Sequence, residues 1–261
     1  MRNLSAVGPI FYGIAIAAMG VQTICTHRFP YMIIPPDHSW IPAFVMYIFG
    51  ALLIFAGVCI IFGKKSKPTS LLLGTLLLLI FCFYFIPYQF ISGAFKDFGA
   101  WENAEKELAL SGGAFVIGGC FSGKNENPFI GFLTKLIPFG AIIFSLTMIC
   151  FGIYHFLDPK GVADYMPTWV PFKMFWAYFC GSALIGSGIA IIFKIKPALI
   201  ATLLGTMIFS WFIILHIPKV IAAPSASAEM RGELTSALLA LAYSGIAYVI
   251  AGTAKNNNSI K

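Results

Sequence analysis

Residues 40–90, WIPAFVMYIFGALLIFAGVCIIFGKKSKPTSLLLGTLLLLIFCFYFIPYQF, are matched by residues 169–221, WVPFKMFWAYFCGSALIGSGIAIIFKIKPALIATLLGTMIFSWFIILHIPKVI. Trp40-Ile41-Pro42 answers Trp169-Val170-Pro171. After a two-residue shift, Gly50, Gly57, Leu73-Gly74-Thr75 and Ile86-Pro87 stand opposite Gly181, Gly188, Leu204-Gly205-Thr206 and Ile217-Pro218, at a constant spacing of 131 residues (181 less 50). A duplicated unit is the simplest account of so long a run at one spacing. The two copies divide the chain into residues 1–130 and 131–261.

The repeat is made of apolar residues. With 59% hydrophobic and 10% charged residues, and several apolar runs near or above the length that spans a bilayer, the chain reads as an integral membrane protein. Eight segments qualify as helical spans: 7–25, 41–62, 70–91, 105–121, 132–156, 172–193, 198–217 and 234–251. The expected fold is all-α, eight transmembrane helices as two four-helix repeats. The fourth span is short in apolar residues and needs Glu105 to Glu107 as an outer turn, but Ala109-Leu110-Ser111-Gly112 lies opposite Ala242-Tyr243-Ser244-Gly245 of the eighth. The first segment reads as a span and not a cleaved leader, because no small-x-small site precedes the polar stretch that follows it.

Charge sets the expected orientation. If both termini share one side, that side carries ten of the 17 basic residues, among them Lys64, Lys65, Lys67, Lys194 and Lys196 in two tight hairpins. The positive-inside rule holds such hairpins cytoplasmic. Nine of the ten acids then fall outside. The net charge of +7 is thus topology, and a nucleic-acid surface, which needs its cations on one soluble face, is excluded. An even number of spans per unit makes the repeats parallel, related by an axis along the membrane normal. Gly13 with Ala17, Ala114 with Gly118 and Ser182 with Gly186 are small-residue pairs suited to close helix packing.

Polar chemistry concentrates at the outer end. The connection from Thr26 to Trp40 holds His27, Arg28, Asp37 and His38, and that from Leu157 to Pro171 holds Asp158, Lys160 and Asp164. Trp40 and Trp169 read first as interfacial belt residues. Within the spans, His155 and His216 end the fifth and seventh near the same surface. A neutral imidazole there can hold a quinone carbonyl or a metal, or serve as an ordinary interfacial group. Glu107 is the deepest acid, a proton-handling candidate or a capping charge. Arg231 and Glu233 read as a solvated pair. The six cysteines lie scattered among the spans without a C-x-x-C, and no phosphate loop, dinucleotide turn, zinc spacing or nucleophile motif occurs. The sequence requires no cofactor and no metal.

Gly152-Ile153-Tyr154-His155-Phe156, Met166-Pro167-Thr168-Trp169-Val170-Pro171, Phe175-Trp176-Ala177-Tyr178 with Gly181, and His216-Ile217-Pro218 resemble the DoxX-like family of bacterial membrane proteins. The likeness covers the second half well and the first more loosely, where Thr23 stands in the histidine position and Tyr47 in the tryptophan region. The basic, lysine- and isoleucine-rich composition suits a multi-pass protein of the bacterial cytoplasmic membrane, with both termini cytoplasmic by the charge pattern; the resemblance implies a subunit of a membrane redox complex with a redox partner. It further implies an apolar slot in which His155 and His216 bond quinone carbonyls, Trp176 or Tyr178 stacks the ring, and Glu107 relays protons. A small-molecule or lipid transporter and a non-catalytic assembly subunit are the alternatives, and whether the chain is an enzyme stays open.

Overall fold

The computed structural model describes residues 2–30, 32–34, 41–121, 127–225 and 227–258, and its elements are all helical. In chain order they are α1 (Arg2–Thr26), α2 (Ala43–Ile61), α3 (Ser66–Ile80), α4 (Ile86–Ile91), α5 (Phe98–Cys120), α6 (Pro128–Leu133), α7 (Ile137–Leu157), α8 (Pro159–Tyr165), α9 (Lys173–Ile192), α10 (Pro197–Trp211), α11 (Ile217–Ala222) and α12 (Ala228–Asn258). Seven helical stretches are long and apolar enough to cross a membrane: Ala6–Thr26, Ala43–Ile61, Ser66–Ile91, Pro128–Leu157, Lys173–Ile192, Pro197–Ala222 and Ala228–Ala254. Trp40, with Asp37 and His38, lies outside the described residues.

The expected fourth span is α5, which is not among those seven. It begins at Phe98, not at Glu105, because Asp97 caps it by accepting from the Gly99 amide at 2.9 Å. Its first half carries Glu102, Glu105, Lys106 and Glu107, too many charges for a lipid-facing helix. Its second half solves the problem differently: every residue from 109 to 118 is buried. Residues 237–251 of α12 are buried in the same way. Helices covered on all sides form the core, and here α5 and α12 touch at the centre of the bundle.

The other helices surround that pair. Helix α1 packs between α2 and α12, while α7 packs between α9 and α5; α3 lies on α5, and α10 on α12. The closest seams are made by glycines. A methyl group on Gly20 would fall 2.5 Å from the Gly50 carbonyl oxygen, and one on Gly152 would fall 2.6 Å from that of Gly181. Only a missing side chain lets backbones approach so far, which replaces the hydrophobic effect with dispersion. Gly13 with Ala17 and Ala114 with Gly118 lie in such seams, against Gly57 and against Gly74 and Leu71. Ser182 and Gly186 do not. Both are exposed and Gly186 has open space beside it; Gly181 and Gly188 are the packed pair, since they face α7.

Two local devices recur 131 residues apart. Lys65 and Lys196 adopt left-handed φ of 54° and 43° where α3 and α10 begin. Further on, α3 passes through a π turn at Phe81–Phe85 into α4, and α10 through one at Phe212–His216 into α11. The cause is the proline that follows. Pro87 and Pro218 lack an N–H, and their rings press on the carbonyls of Phe83 and Ile214 four residues back. A wider π turn takes up that clash without breaking the helix. His216 is the last residue of the second π turn, so the fold itself presents it.

Candidate functional site

His216 stands in a polar cluster assembled from three elements. Asp158 starts α8 by accepting from the Gly161 amide at 2.9 Å, with Pro159 in the first turn where its missing N–H costs nothing. Helix α8 is then held down by Met166, Val170 and Ala177, with Trp176 and Trp211 packed beside them. This brings Tyr165 over the end of α10, its ring centroid 6.1 Å from that of His216. The Tyr165 hydroxyl donates to Glu233 of α12. Lys219, on α11, places its ammonium 3.6 Å from the other Glu233 oxygen and 3.6 Å from the centroid of the Tyr165 ring. Nδ1 of His216 is buried with no hydrogen-bond partner among the described residues.

Glu233 is therefore not half of a solvated pair with Arg231. Its side chain is 14% exposed and its charge is taken up by Lys219 and Tyr165. The main-chain carbonyl of Arg231 instead accepts from Gln22 of α1 at 2.9 Å. Residues 231 and 233 lie roughly 200° apart on a helix, so they face different neighbours.

His155 is placed elsewhere. Its Nδ1 sits 2.8 Å from the Phe151 carbonyl oxygen of the same helix. A carbonyl only accepts, so the proton is on Nδ1 and the neutral ring presents Nε2 as an acceptor. The ring stem abuts Gly181 of α9, and Phe156 next to it meets Tyr178 with centroids 5.6 Å apart. On the other flank of α9, Cys180 accepts from the Trp211 indole at 3.2 Å, and Trp176 meets Trp211 edge-on at 5.9 Å. Helix α9 thus runs between the two histidines. Tyr178 goes with His155, and Trp176 with the His216 side.

Glu107 is in a third place, fully buried on α5, and neither carboxyl oxygen has a hydrogen-bond partner among the described residues. Ser111, one turn on and on the same face, donates to the Gly74 carbonyl of α3 at 2.8 Å. Glu105 faces α7 instead, against Cys150 and Tyr154. Among the described residues no group of three or more His, Cys, Asp or Glu could hold a metal ion.

No family model, no curated protein and no solved structure matches the chain. Tyr165, Lys219 and Glu233 escaped sequence reasoning because their partners lie on α8, α11 and α12, far apart in sequence. One signal was present. Lys219 follows directly on His216-Ile217-Pro218, where the first copy has Tyr88 after Phe85-Ile86-Pro87.

Proposed function

We propose that the chain is an eight-span protein of the bacterial cytoplasmic membrane, two parallel four-helix repeats with both termini inside, whose second repeat binds the polar head of a small lipid-soluble ligand at its outer end. A quinone is the ligand class that fits. The observation that carries this reading is the buried Nδ1 of His216, which has no hydrogen-bond partner among the described residues and lies in one cluster with Tyr165, Lys219 and Glu233. Burying a polar atom without a partner costs about 1–3 kcal/mol, and a bound acceptor would recover that.

Support for the duplicated architecture comes from the paired π turns, the paired left-handed lysines and the matching glycine seams. Helix α5 supports a fourth span, and so a count of eight, by hiding its second half against α12, α3 and α7. The resemblance of residues 152–218 to DoxX-like proteins points toward a redox complex with a partner subunit, by analogy.

A quinone, when bound, carries two electrons and two protons. The chain's own part is to hold and orient its head. His216 donates from Nδ1 to a carbonyl oxygen, and the Lys219–Glu233 pair fixes Tyr165 over the imidazole. His155, with Nε2 as acceptor, suits a hydroxyl and not a carbonyl. Glu107 is the buried carboxyl group able to hold a proton. A carrier with its pathway between the repeats is the weaker reading, because Gly113 of α5 packs against Ile246 of α12 and Tyr12 of α1 there.

The test is purification in mild detergent, organic extraction and mass spectrometry of small molecules. Near-stoichiometric quinone in the wild type, absent from His216→Phe and retained in His155→Ala, is the expected result. Bulk phospholipid alone in all three samples would sink the quinone reading and leave an assembly subunit.

A further inference from the structure

Helix α3 lies on α5 as α10 lies on α12, in one register. A methyl group on Gly74 would fall 3.1 Å from the Ala114 methyl and 3.0 Å from the Phe115 ring; one on Gly205 would fall 3.2 Å from the Ala247 methyl and 2.9 Å from the Tyr248 ring. The spacing from Ala114 to Ala247 is 133 residues (247 less 114), the same that relates Ala109 to Ala242. The two seams are equivalent in backbone and differ in what they contain.

Positions 100, 104, 107, 111, 115 and 118 of α5 follow one another on the face toward α3 and α4. The Ala100 carbonyl accepts from Gln89 of α4 at 2.6 Å, and the Ser111 hydroxyl donates to the Gly74 carbonyl of α3 at 2.8 Å. Ser70 of α3 lies against Gly118. From Ala100 to Gly118 the helix advances about 27 Å, close to the thickness of a hydrocarbon core. Seven buried side-chain polar atoms have no hydrogen-bond partner among the described residues, and four belong to this line: Oε1 of Gln89, both carboxyl oxygens of Glu107 and the Ser70 hydroxyl. The α10–α12 seam has Val220, Ala240 and Ala201 at the matching positions. Its hydroxyls are met locally, Ser244 by the Leu241 carbonyl at 2.9 Å and Thr206 by Tyr248 at 3.4 Å. The fold thus closes such a seam without the three polar side chains, and keeping them is a cost that points to use.

The charged and titratable groups around Glu107 have other partners or other faces. Lys106 is paired with Glu102 at 2.7 Å, and Glu105 faces Cys150 and Tyr154 of α7. Tyr243 of α12 and Tyr12 of α1 donate to the Lys106 and Leu110 carbonyls. From Ser70 to Ile80, α3 has no titratable side chain; Lys67 precedes that stretch and Cys82 and Tyr84 follow it. Tyr84 stacks on Tyr88, and Lys96 lies over the Phe95 ring.

We infer that the α3–α5 seam of the first repeat is a proton route, with Glu107 as the group that carries the proton. A carboxyl group buried without a cation beside it holds a proton. Oxygens set one after another along a helix suit a proton that is handed on, whereas a metal ion needs several around one point. Water admitted between Gln89, Glu107 and Ser70 completes the chain. A hydronium ion at one face gives its proton to the Glu107 carboxylate, and the acid so formed gives it up to water toward the other face. Only O–H bonds change, and no electron moves. The route rests on α5 crossing the membrane and is independent of the ligand at His216.

The full chain in phospholipid vesicles loaded with pyranine, driven by a potassium–valinomycin potential, tests this. The wild type is expected to acidify the lumen severalfold faster than protein-free vesicles. Glu107→Gln keeps the shape and removes the acid, so its rate should fall to the protein-free value. Gln89→Val and Ser70→Ala, which copy the second seam, should slow the flux. His216→Phe should keep the wild-type rate, which separates the route from the ligand site. Dicyclohexylcarbodiimide, a lipid-soluble reagent for protonated carboxyl groups, should modify Glu107 and stop the flux, and a water-soluble carbodiimide should do neither. A wild-type rate no greater than that of Glu107→Gln would overturn the route, even with Glu107 modified. Modification by the water-soluble reagent would overturn the place of α5 as a span, and the route with it.

Discussion

The C-terminal ends of α3 and α10 share a backbone and differ in what they hold. Both pass through a π turn and then Ile-Pro. At the last position of the first turn stands Phe85, 2% exposed; at the last of the second stands His216, with a buried ring nitrogen that has no partner among the described residues. Three residues on, Tyr88 answers Lys219. In the first half the nearby polar group is Gln89, which donates to the Ala100 carbonyl at 2.6 Å. The fold therefore needs the proline and the wide turn, and it does not need the histidine. A phenylalanine packs that corner without stranding an atom of its own, although the nearby Gln89 Oε1 is buried with no hydrogen-bond partner among the described residues. Retaining an imidazole where an apolar ring suffices is a cost in stability, and such costs collect at functional positions.

Reversing the assignment on the first side should have the largest effect. Phe85→His removes buried apolar surface and puts ring nitrogens at a position only 2% exposed, so a loss of about 3 kcal/mol is expected. Thermal unfolding in dodecyl maltoside, followed through the accessibility of the free cysteines, would measure it. A wild-type midpoint for this variant would mean that the first corner is as tolerant of polarity as the second, and the contrast would collapse. Next in size is Glu233→Ala, which leaves Lys219 half-buried without its partner and the Tyr165 hydroxyl without an acceptor. Roughly 2 kcal/mol is expected. Adding Lys219→Ala should recover part of the loss in a double-mutant cycle; strict additivity would show that the two groups are not coupled.

Tyr154→Phe should cost less. It deletes the hydrogen bond to the Phe98 carbonyl and the hydroxyl's contact with Glu105, while the ring keeps its contact with Phe98, so about 1 kcal/mol is at stake. Gln22→Leu, where α1 meets α12, should cost more, because the Gln22 amide serves both the Arg231 carbonyl and the Thr235 hydroxyl. Equal losses in the same unfolding measurement would mean that the second hydrogen bond of Gln22, to Thr235, adds nothing.

What was legible in the sequence follows from what is local. Hydropathy and the repeat spacing located the helices because spans are read from consecutive residues, and Pro87 and Pro218 marked the corners where the π turns fall. The rotation of each helix was not local. Ser182 and Gly186 show the right spacing for a packed seam, but the helix turns Gly181 and Gly188 to α7 instead, and composition alone does not choose between neighbouring faces. Glu107 was legible as a deep acid, and the structure buries it fully. Its separation from both histidines was not legible, because it depends on α5 lying at the centre of the bundle. The Tyr165–Glu233–Lys219 contacts join residues up to 68 apart in sequence, through a short helix whose placement no periodicity reveals.

The smallest expected change in stability is the one that sharpens the comparison most. His216→Phe copies the first half's solution into the second. It removes a nitrogen with no partner among the described residues, which favours the folded state, and it adds a larger ring beside Tyr165, which strains the packing. These effects are each of order 1–3 kcal/mol and opposite in sign, so the unfolding midpoint should stay near the wild-type value. Glu233, Lys219 and Tyr165 keep one another in this variant. A fold that is unchanged while a bound small molecule is lost would separate the histidine's role from the scaffold's. A marked loss of stability would instead mean that the imidazole has a structural partner in the protein, and the two corners would then differ in packing and not in purpose.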